Sequence, residues 1–139
     1  MKIIKQVLFL IVGIILFTKC TDGTKKTVEV TEIVKERVLR HVVLFKFNNE
    51  ASAEDVQKLN EAFSALPDAI PQIKDFEWGI NKSPENFHQG FTHCYMLTFN
   101  SEMDRDSIYT PHPDHQAFVA SLQPHLEKVF VVDYWTNPS

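Results

Sequence analysis

The sequence predicts a small α+β domain over residues 39–136, with its strands and helices in the order β-α-β-β-α-β. Four segments have the β-branched and aromatic composition of strands, or alternate apolar with polar residues. Two intervening segments instead repeat apolar residues at helical spacing, behind sequences that favour helix starts. The whole chain has 139 residues, 44% of them hydrophobic and 23% charged, which suits one globular domain.

The strands are predicted at residues 39–47, 73–80, 91–99 and 130–135. The first strand places His41, Val43 and Phe45 on one face, and Val42 and Leu44 on the other. An antiparallel sheet covered on one side usually alternates apolar and polar residues, but these strands are largely apolar on both faces. A monomer would leave the second face uncovered, so we expect a twofold homodimer in which two sheets meet face to face.

The first helix is predicted to begin at the capping-box sequence Ser52 to Asp55 and to end at Pro67. A similar spacing at Ser101 predicts a short second helix that ends near Tyr109.

A longer third helix is predicted after Pro113, with a kink at Pro124. Its apolar positions at helical spacing are Phe118, Leu122, Leu126 and Val129. The complete order of elements is the ferredoxin-like split βαβ pattern, in which the helices pack on one face of an antiparallel sheet.

Residues 1–20 are typical of a secretory targeting segment, because Lys2 and Lys5 precede an apolar run from Val7 to Phe17. That run is shorter than the ~20 residues that span a bilayer comfortably. It is followed by Cys20, which resembles the lipidated cysteine of bacterial lipoprotein signals. Lys19 departs from that pattern, in which a small residue precedes the cysteine, so an uncleaved signal anchor is the alternative.

Residues 21–38 are polar and mixed in charge, and we interpret them as a tether between membrane and domain. Under either interpretation of the targeting segment, Lys2 and Lys5 stay in the cytoplasm and the domain is exported. We therefore expect a protein anchored in the cell-envelope membrane, most simply a bacterial lipoprotein.

Composition argues against several other classes of protein. The formal net charge is −4, and no basic cluster beyond Lys25 and Lys26 follows the N-terminus, which argues against nucleic-acid binding. A phosphate-binding glycine loop, a nucleophile elbow and a paired-carboxylate site are absent from the sequence, and no cofactor is expected. His112 and His115 are spaced like metal ligands, but a site needs a third ligand and His112 precedes a proline, so no metal is expected.

An ordered set of short motifs in residues 39–136 resembles the stress-responsive dimeric α/β-barrel (Dabb) family. The motifs are His41-Val-Val-Leu-Phe-Lys-Phe47, Leu66-Pro-X-X-Ile-Pro71, Trp78-Gly79, Ser83-Pro84, Gln89-Gly90-Phe-Thr-His93, Thr98-Phe99, His112-Pro-Asp-His115 and Val131-Val-Asp-Tyr134. The resemblance implies a subunit that pairs into a barrel and has a cavity between its sheet and its helices.

The resemblance also implies candidate site residues. In cyclase-type members of the family a tyrosine and a histidine form the catalytic pair, and these positions fall on Tyr109 and His115. Residues expected to line the ligand cavity are His41, His93, Phe45, Trp78 and Tyr95. The alternative is structural: His112 and His115 would cap the helix start, and Tyr109 would be a packed aromatic side chain.

Two functional hypotheses follow from these residues. The first is a membrane-tethered homodimer, stress-related or ligand-binding, that holds a small apolar or aromatic molecule. The second is a cofactor-independent enzyme with polyketide-cyclase-like aldol or Claisen chemistry. Such chemistry needs a base to take a proton beside a carbonyl and a donor to hold the enolate oxygen, roles that suit His115 and Tyr109.

Overall fold

The computed structural model describes residues 36–137, which form an antiparallel sheet with helices packed on one face. The predicted targeting segment, including Cys20, and residues 21–35 of the tether lie outside this range. The strands are β1 (Leu39–Phe47), β2 (Asp75–Ile80), β3 (His93–Phe99) and β4 (Leu126–Trp135). The helices are α1 (Ala53–Ser64), α2 (Leu66–Ala69) and α3 (Pro113–Leu122), with a π-helical segment at Asp104–Tyr109 and a 3-10 turn at Gln123–His125.

The four strands lie in the order β2-β3-β1-β4, and all three neighbouring pairs are antiparallel. This arrangement confirms the predicted ferredoxin-like fold. Strand β1 is central, and its residue His41 lies opposite Leu97 of β3 and Asp133 of β4. Directly opposed residues point to the same face of a sheet, so the register alone brings the side chains of His41 and Asp133 together.

The predicted capping box starts α1. The Ser52 hydroxyl accepts a hydrogen bond from the Asp55 N–H at 3.1 Å, and the Asp55 carboxylate accepts one from the Ser52 N–H at 3.1 Å. These two bonds satisfy N–H groups that a helix start otherwise leaves without partners. Helix α1 ends at Ser64, and Pro67 lies at the start of the short helix α2.

The core between sheet and helices is strongly aromatic. Phe63 of α1 is 1% exposed and stacks on Phe118 of α3, with ring centroids 4.4 Å apart. Phe45 of β1 and Tyr95 of β3 close the cluster from the sheet side, at 6.0 and 4.7 Å from Phe63. The many aromatic residues of the sequence therefore serve first to join the helix layer to the sheet.

The opposite face of the sheet has no helix over it within residues 36–137. Phe130, Val132 and Tyr134 of β4 lie on this open face and are 51%, 39% and 46% exposed. In the register they lie opposite Leu44, Val42 and Arg40 of β1. Three large apolar side chains in alternation on one strand form the uncovered face that the sequence predicted.

The predicted long third helix is wrong in its second half. Helix α3 ends at Leu122, and Pro124 lies in a 3-10 turn rather than at a kink. Leu126 and Val129 belong to β4, which pairs with β1 through a register shift at Lys46 and Phe47. Strand β4 is consequently longer than predicted. Among the described residues no helix combines the length and apolar character needed to cross a membrane.

Candidate active site

A cavity of about 270 Å³ lies between α3 and the β1–β4 half of the sheet, on the helix-covered face. Its apolar walls include Val43, Phe45, Phe63, Phe118, Leu122 and Val131. Its polar groups come from His41, Tyr109, Thr110, His115 and Gln123. The volume is slightly below the ~300 Å³ where common ligand pockets begin. The cavity therefore suits a compact ligand.

Tyr109 and His115 share this cavity and contact each other. Their ring centroids are 4.1 Å apart with an interplanar angle of 37°. Tyr109 ends the π-helical segment, and His115 lies in the first turn of α3. Among residues 36–137, no group hydrogen-bonds the Tyr109 hydroxyl, and Tyr109 lines the cavity, so a ligand there can accept its hydrogen bond.

The carbonyl of Thr110 fixes the tautomer of His115. It lies 3.0 Å from Nδ1 of His115 and also accepts a hydrogen bond from the side-chain amide of Gln116 at 2.7 Å. Because a carbonyl only accepts hydrogen bonds, Nδ1 must be protonated. In the neutral imidazole, Nε2 then has the free lone pair and is the atom able to take a proton.

Burial shifts the pKa values of both side chains, in opposite directions. It lowers the pKa of His115, and the nearby His41 and His112 lower it further against the raising effect of the Thr110 bond. Burial also raises the pKa of Tyr109 well above its ordinary value, helped by the negative charge of Asp133. At neutral pH the site therefore holds a neutral imidazole, which is a base, beside a protonated phenol, which is a donor.

His41 forms the third polar corner of the cavity. Its ring centroid is 5.8 Å from that of Tyr109, edge to face, and its Nδ1 lies 2.8 Å from Oδ1 of Asp133. The carboxylate accepts the Nδ1 proton, so Nε2 is again the ring nitrogen left for a ligand. Two imidazoles and one phenol thus lie together among the lining residues of a largely apolar cavity.

Comparison with known proteins identifies the family. Residues 39–136 match the model of the Stress responsive A/B Barrel Domain. A stress-response A/B barrel domain-containing protein of Arabidopsis thaliana is 36% identical over 96 residues, which cover 69% of this chain and 87% of that protein. The chain belongs to the stress-responsive A/B barrel (Dabb) family. The family predicted from the motifs is therefore confirmed.

Two further relatives of this A/B barrel domain have names that state an activity. Olivetolic acid cyclase of Cannabis sativa is 28% identical over 96 residues, covering 69% of this chain and 94% of that protein. The structure of a hydroxynitrile lyase from Passiflora edulis matches with a TM-score of 0.68 and 27% identity, over 73% of this chain and 95% of that one. A cyclase and a lyase are thus both similar to this chain.

Other solved structures similar to this A/B barrel domain are dimers. A dimeric ferredoxin-like protein of unknown function from Thermobifida fusca matches with a TM-score of 0.62 and 25% identity, covering 73% of this chain and 93% of that one. A second dimer of unknown function, from Bacteroides fragilis, matches with a TM-score of 0.58 and 27% identity, covering 71% and 96%.

The residues predicted to line the ligand cavity divide into separate groups. His41 and Phe45 lie in the cavity with Tyr109 and His115. His93 and Trp78 do not: they border a wider groove of about 630 Å³ at the β2–β3 end of the sheet. Their rings stack at 6.2 Å and 15°, beyond the area that the helices cover, and Trp78 is 42% exposed.

Tyr95 also lies outside the cavity. It is 1% exposed in the aromatic core, and its hydroxyl donates a hydrogen bond to the side chain of Asn60.

His112 is the N-cap of α3, where its Nδ1 accepts the Asp114 N–H at 3.3 Å. The capping role proposed for both histidines thus applies to His112, whereas His115 points its ring into the cavity. Within residues 36–137, no group of three or more His, Cys, Asp or Glu side chains is arranged to hold a metal.

Sequence reasoning missed three residues that shape the site. Thr110 orients His115 through its backbone carbonyl, which no side-chain pattern reveals. Asp133 binds His41, and Arg105 in turn binds Asp133. The antiparallel register of β1 and β4 was the available signal for Asp133, because it places that residue opposite His41.

Proposed function

We propose that this A/B barrel domain is an acid–base enzyme acting on a small carbonyl-containing or aromatic compound in the helix-side cavity. His115 is the base through Nε2, and Tyr109 is the hydrogen-bond donor to the substrate oxygen. The contact of these two rings inside one cavity, 4.1 Å between centroids, is the observation on which the proposal depends. Their opposite pKa shifts support it, because both groups then have the protonation state that their roles require at neutral pH.

The reactions named for the cyclase and the lyase relatives both begin when a base removes a proton from the substrate. Closing a ring by aldol or Claisen chemistry begins when a base takes a proton from carbon beside a carbonyl. Cleaving a hydroxynitrile begins when a base takes the proton of the hydroxyl, after which the carbon–cyanide bond breaks and a carbonyl forms. Both reactions use a base close to a group that hydrogen-bonds the substrate oxygen, and the contact of His115 with Tyr109 supplies that combination.

Two small probes separate these reactions. Acetophenone in heavy water reports carbon deprotonation: Nε2 of His115 would take a methyl proton, Tyr109 would hold the enolate oxygen, and return of a deuteron would label the methyl group. Mandelonitrile reports cleavage, because loss of its hydroxyl proton and departure of cyanide yield benzaldehyde. We expect the wild-type protein to accelerate at least one of the two reactions.

Matched variants test the assignment. His115→Asn should lower the accelerated rate by about 100-fold or more, the usual contribution of a general base. Tyr109→Phe should lower it by a similar factor, as for the loss of an oxyanion donor. His88→Asn in the β2–β3 loop and Tyr134→Phe on the open face are the controls, and both should keep the wild-type rate. Acceleration that survives His115→Asn would refute the role of the base.

A second candidate is ligand binding without chemistry, favoured by the predominantly apolar walls of Phe45, Phe63 and Phe118. Calorimetry distinguishes it from catalysis. If acetophenone binds the wild-type protein and neither probe is turned over, the cavity is a binding site only.

The proposal includes a homodimer built on the open face. Its support is the exposure of Phe130, Val132 and Tyr134 together with the dimeric state of similar structures. Val132→Glu should weaken self-association by tenfold or more in analytical ultracentrifugation, since it buries a carboxylate among apolar groups. Met103→Glu replaces another exposed apolar residue, away from the sheet, and should leave the dimer unchanged.

The proposal also places this domain outside the cytoplasm, tethered through the predicted targeting segment of residues 1–20. Its support is the Lys2 and Lys5 start followed by the apolar run before Cys20. Mass spectrometry of the full chain from a bacterial membrane fraction should show an N-terminus at a lipidated Cys20, and Cys20→Ser should abolish it. An intact Met1 in that fraction would instead establish the uncleaved anchor.

A further inference from the structure

Arg105 lies behind the cavity and bridges two carboxylates. One of its terminal nitrogens is 3.0 Å from Oδ1 of Asp133, while Nε and the other nitrogen bind Asp106 at 2.7 and 3.1 Å. The side chain of Arg105 is only 18% exposed, which is low for an arginine in a domain of this size. A guanidinium is suited to this position because its planar fork has donors for both carboxylates at once.

Asp133 joins this arginine to the cavity. Its Oδ1 forms the ion pair with Arg105 at 3.0 Å and accepts the hydrogen bond from Nδ1 of His41 at 2.8 Å. Asp133 belongs to an edge strand, and its side chain is 32% exposed. Without a fixed cation, such a carboxylate would be free to rotate toward water and release the imidazole. The ion pair with Arg105 supplies such a cation.

The π-helical segment connects Arg105 to the other site residues. The Arg105 carbonyl accepts the Thr110 N–H and the Thr110 hydroxyl, both at 2.8 Å. The Thr110 carbonyl in turn accepts the Nδ1 proton of His115. Tyr109 lies four residues after Arg105 in the same segment. The backbone of this one π-helical segment therefore positions the phenol of Tyr109 and, through Thr110, the ring of His115. The Arg105 side chain of the same segment reaches His41 through Asp133. π-Helical turns often occur at functional sites.

We propose that Arg105 is a positioning residue of this active site, which clamps Asp133 so that His41 keeps Nδ1 protonated and offers Nε2 to the substrate. The inference rests on the proposed acid–base function for its effect on rate, but its structural content can be measured independently. His41 would then bind the substrate oxygen or proton beside Tyr109 in the same cavity. The Arg105 side chain acts on His41 through Asp133 and does not line the cavity.

The test uses the full chain, labelled with ¹⁵N, and long-range proton–nitrogen correlation of the His41 ring. The wild-type protein should show mainly the Nδ1–H tautomer. Arg105→Gln should shift the ring toward a mixture of tautomers and lower the rate with the acetophenone or mandelonitrile probe about tenfold. Arg37→Gln removes an arginine outside the cavity and should change neither quantity.

The outcomes distinguish a positioning role of Arg105 from a loss of folding. If Arg105→Gln does not fold, Arg105→Lys decides: it keeps the charge but not the fork, and it should give an intermediate tautomer mixture. An unchanged His41 tautomer in the folded variant overturns the inference, even if the rate falls. A wild-type protein that turns over neither probe would refute the proposed enzyme function, and the tautomer would still decide whether Arg105 holds His41.

Discussion

The imidazole of His115 packs against the ring of Tyr109 at 4.1 Å, and both rings line one cavity of about 270 Å³. The two residues are brought together by a connector whose Thr110 carbonyl binds His115 Nδ1 at 3.0 Å. Because that bond orients the ring and selects its tautomer, the basic nitrogen is defined before any substrate arrives. Preorganisation of this kind is what a base and a donor need in order to act together.

The pH dependence of the reaction should report His115. Burial lowers its pKa from the ordinary value of 6.5, so the neutral base persists into mildly acidic solution. We expect kcat/KM to stay level above pH 6.5 and to fall only at a pH below that value. A pH series with mandelonitrile measures this profile. A fall that begins above pH 6.5 would contradict the assignment of His115 as the base.

Stability should also decrease on mild acidification. Burial lowers the folded-state pKa of both His93 and His115, whereas in the unfolded chain each titrates near 6.5. The unfolded chain therefore takes up protons first, so the stabilisation is complete above about pH 6.5 and is lost as the pH falls toward the folded-state values. Urea unfolding across this range measures the slope. His115→Gln should reduce the slope, and a slope equal to that of the wild-type protein would refute the prediction.

Filling the cavity should block activity without unfolding the protein. Val119 lines the cavity from α3 and is partly buried. Val119→Phe adds a ring to a space that suits only a compact ligand, so probe binding should weaken about tenfold or more. Ala120→Phe places the same ring on the next residue, which is exposed, and serves as the control. If both variants bind acetophenone like the wild type, the ligand does not occupy this cavity.

The capping box of α1 should contribute measurably to stability. Ser52→Ala removes the hydroxyl that accepts the Asp55 N–H, at an expected cost of about 1 kcal/mol in the free energy of unfolding. Chemical denaturation measures the difference. Ser64→Ala, at the exposed end of the same helix, should be close to neutral. A negligible cost for Ser52→Ala would show that water replaces the cap.

The fold was largely predictable because local signals agreed with the final packing. The Ser52 box started a helix as expected, and the two-sided apolar pattern of β1 matched a central strand with one open face. The prediction failed from Leu126 to Val129, where helical spacing continued past Pro124. There β4 pairs with β1 through a register shift at Lys46 and Phe47, which sets Leu126 opposite Phe47 and Val129 opposite Phe45. An irregularity of this kind lets a spacing of three residues occur in a strand.

The candidate site was only partly predictable. Tyr109 and His115 came from the motif resemblance, and their common cavity depends on a short connector between two helical segments. His93 and Trp78 lie on the same face of the sheet as His41, so alternation alone did not separate them. They lie toward the β2 edge of the sheet, where residues of the β2–β3 loop such as Ser83 and His88 form a different groove with them.

The most direct test of the account is a double-mutant cycle on His115 and Tyr109, with probe turnover as the readout. Groups that act as one unit are strongly non-additive, so the variant with both His115→Asn and Tyr109→Phe should be little slower than the slower single variant. If the two losses multiply, the residues act independently and the proposed base–donor pair is contradicted.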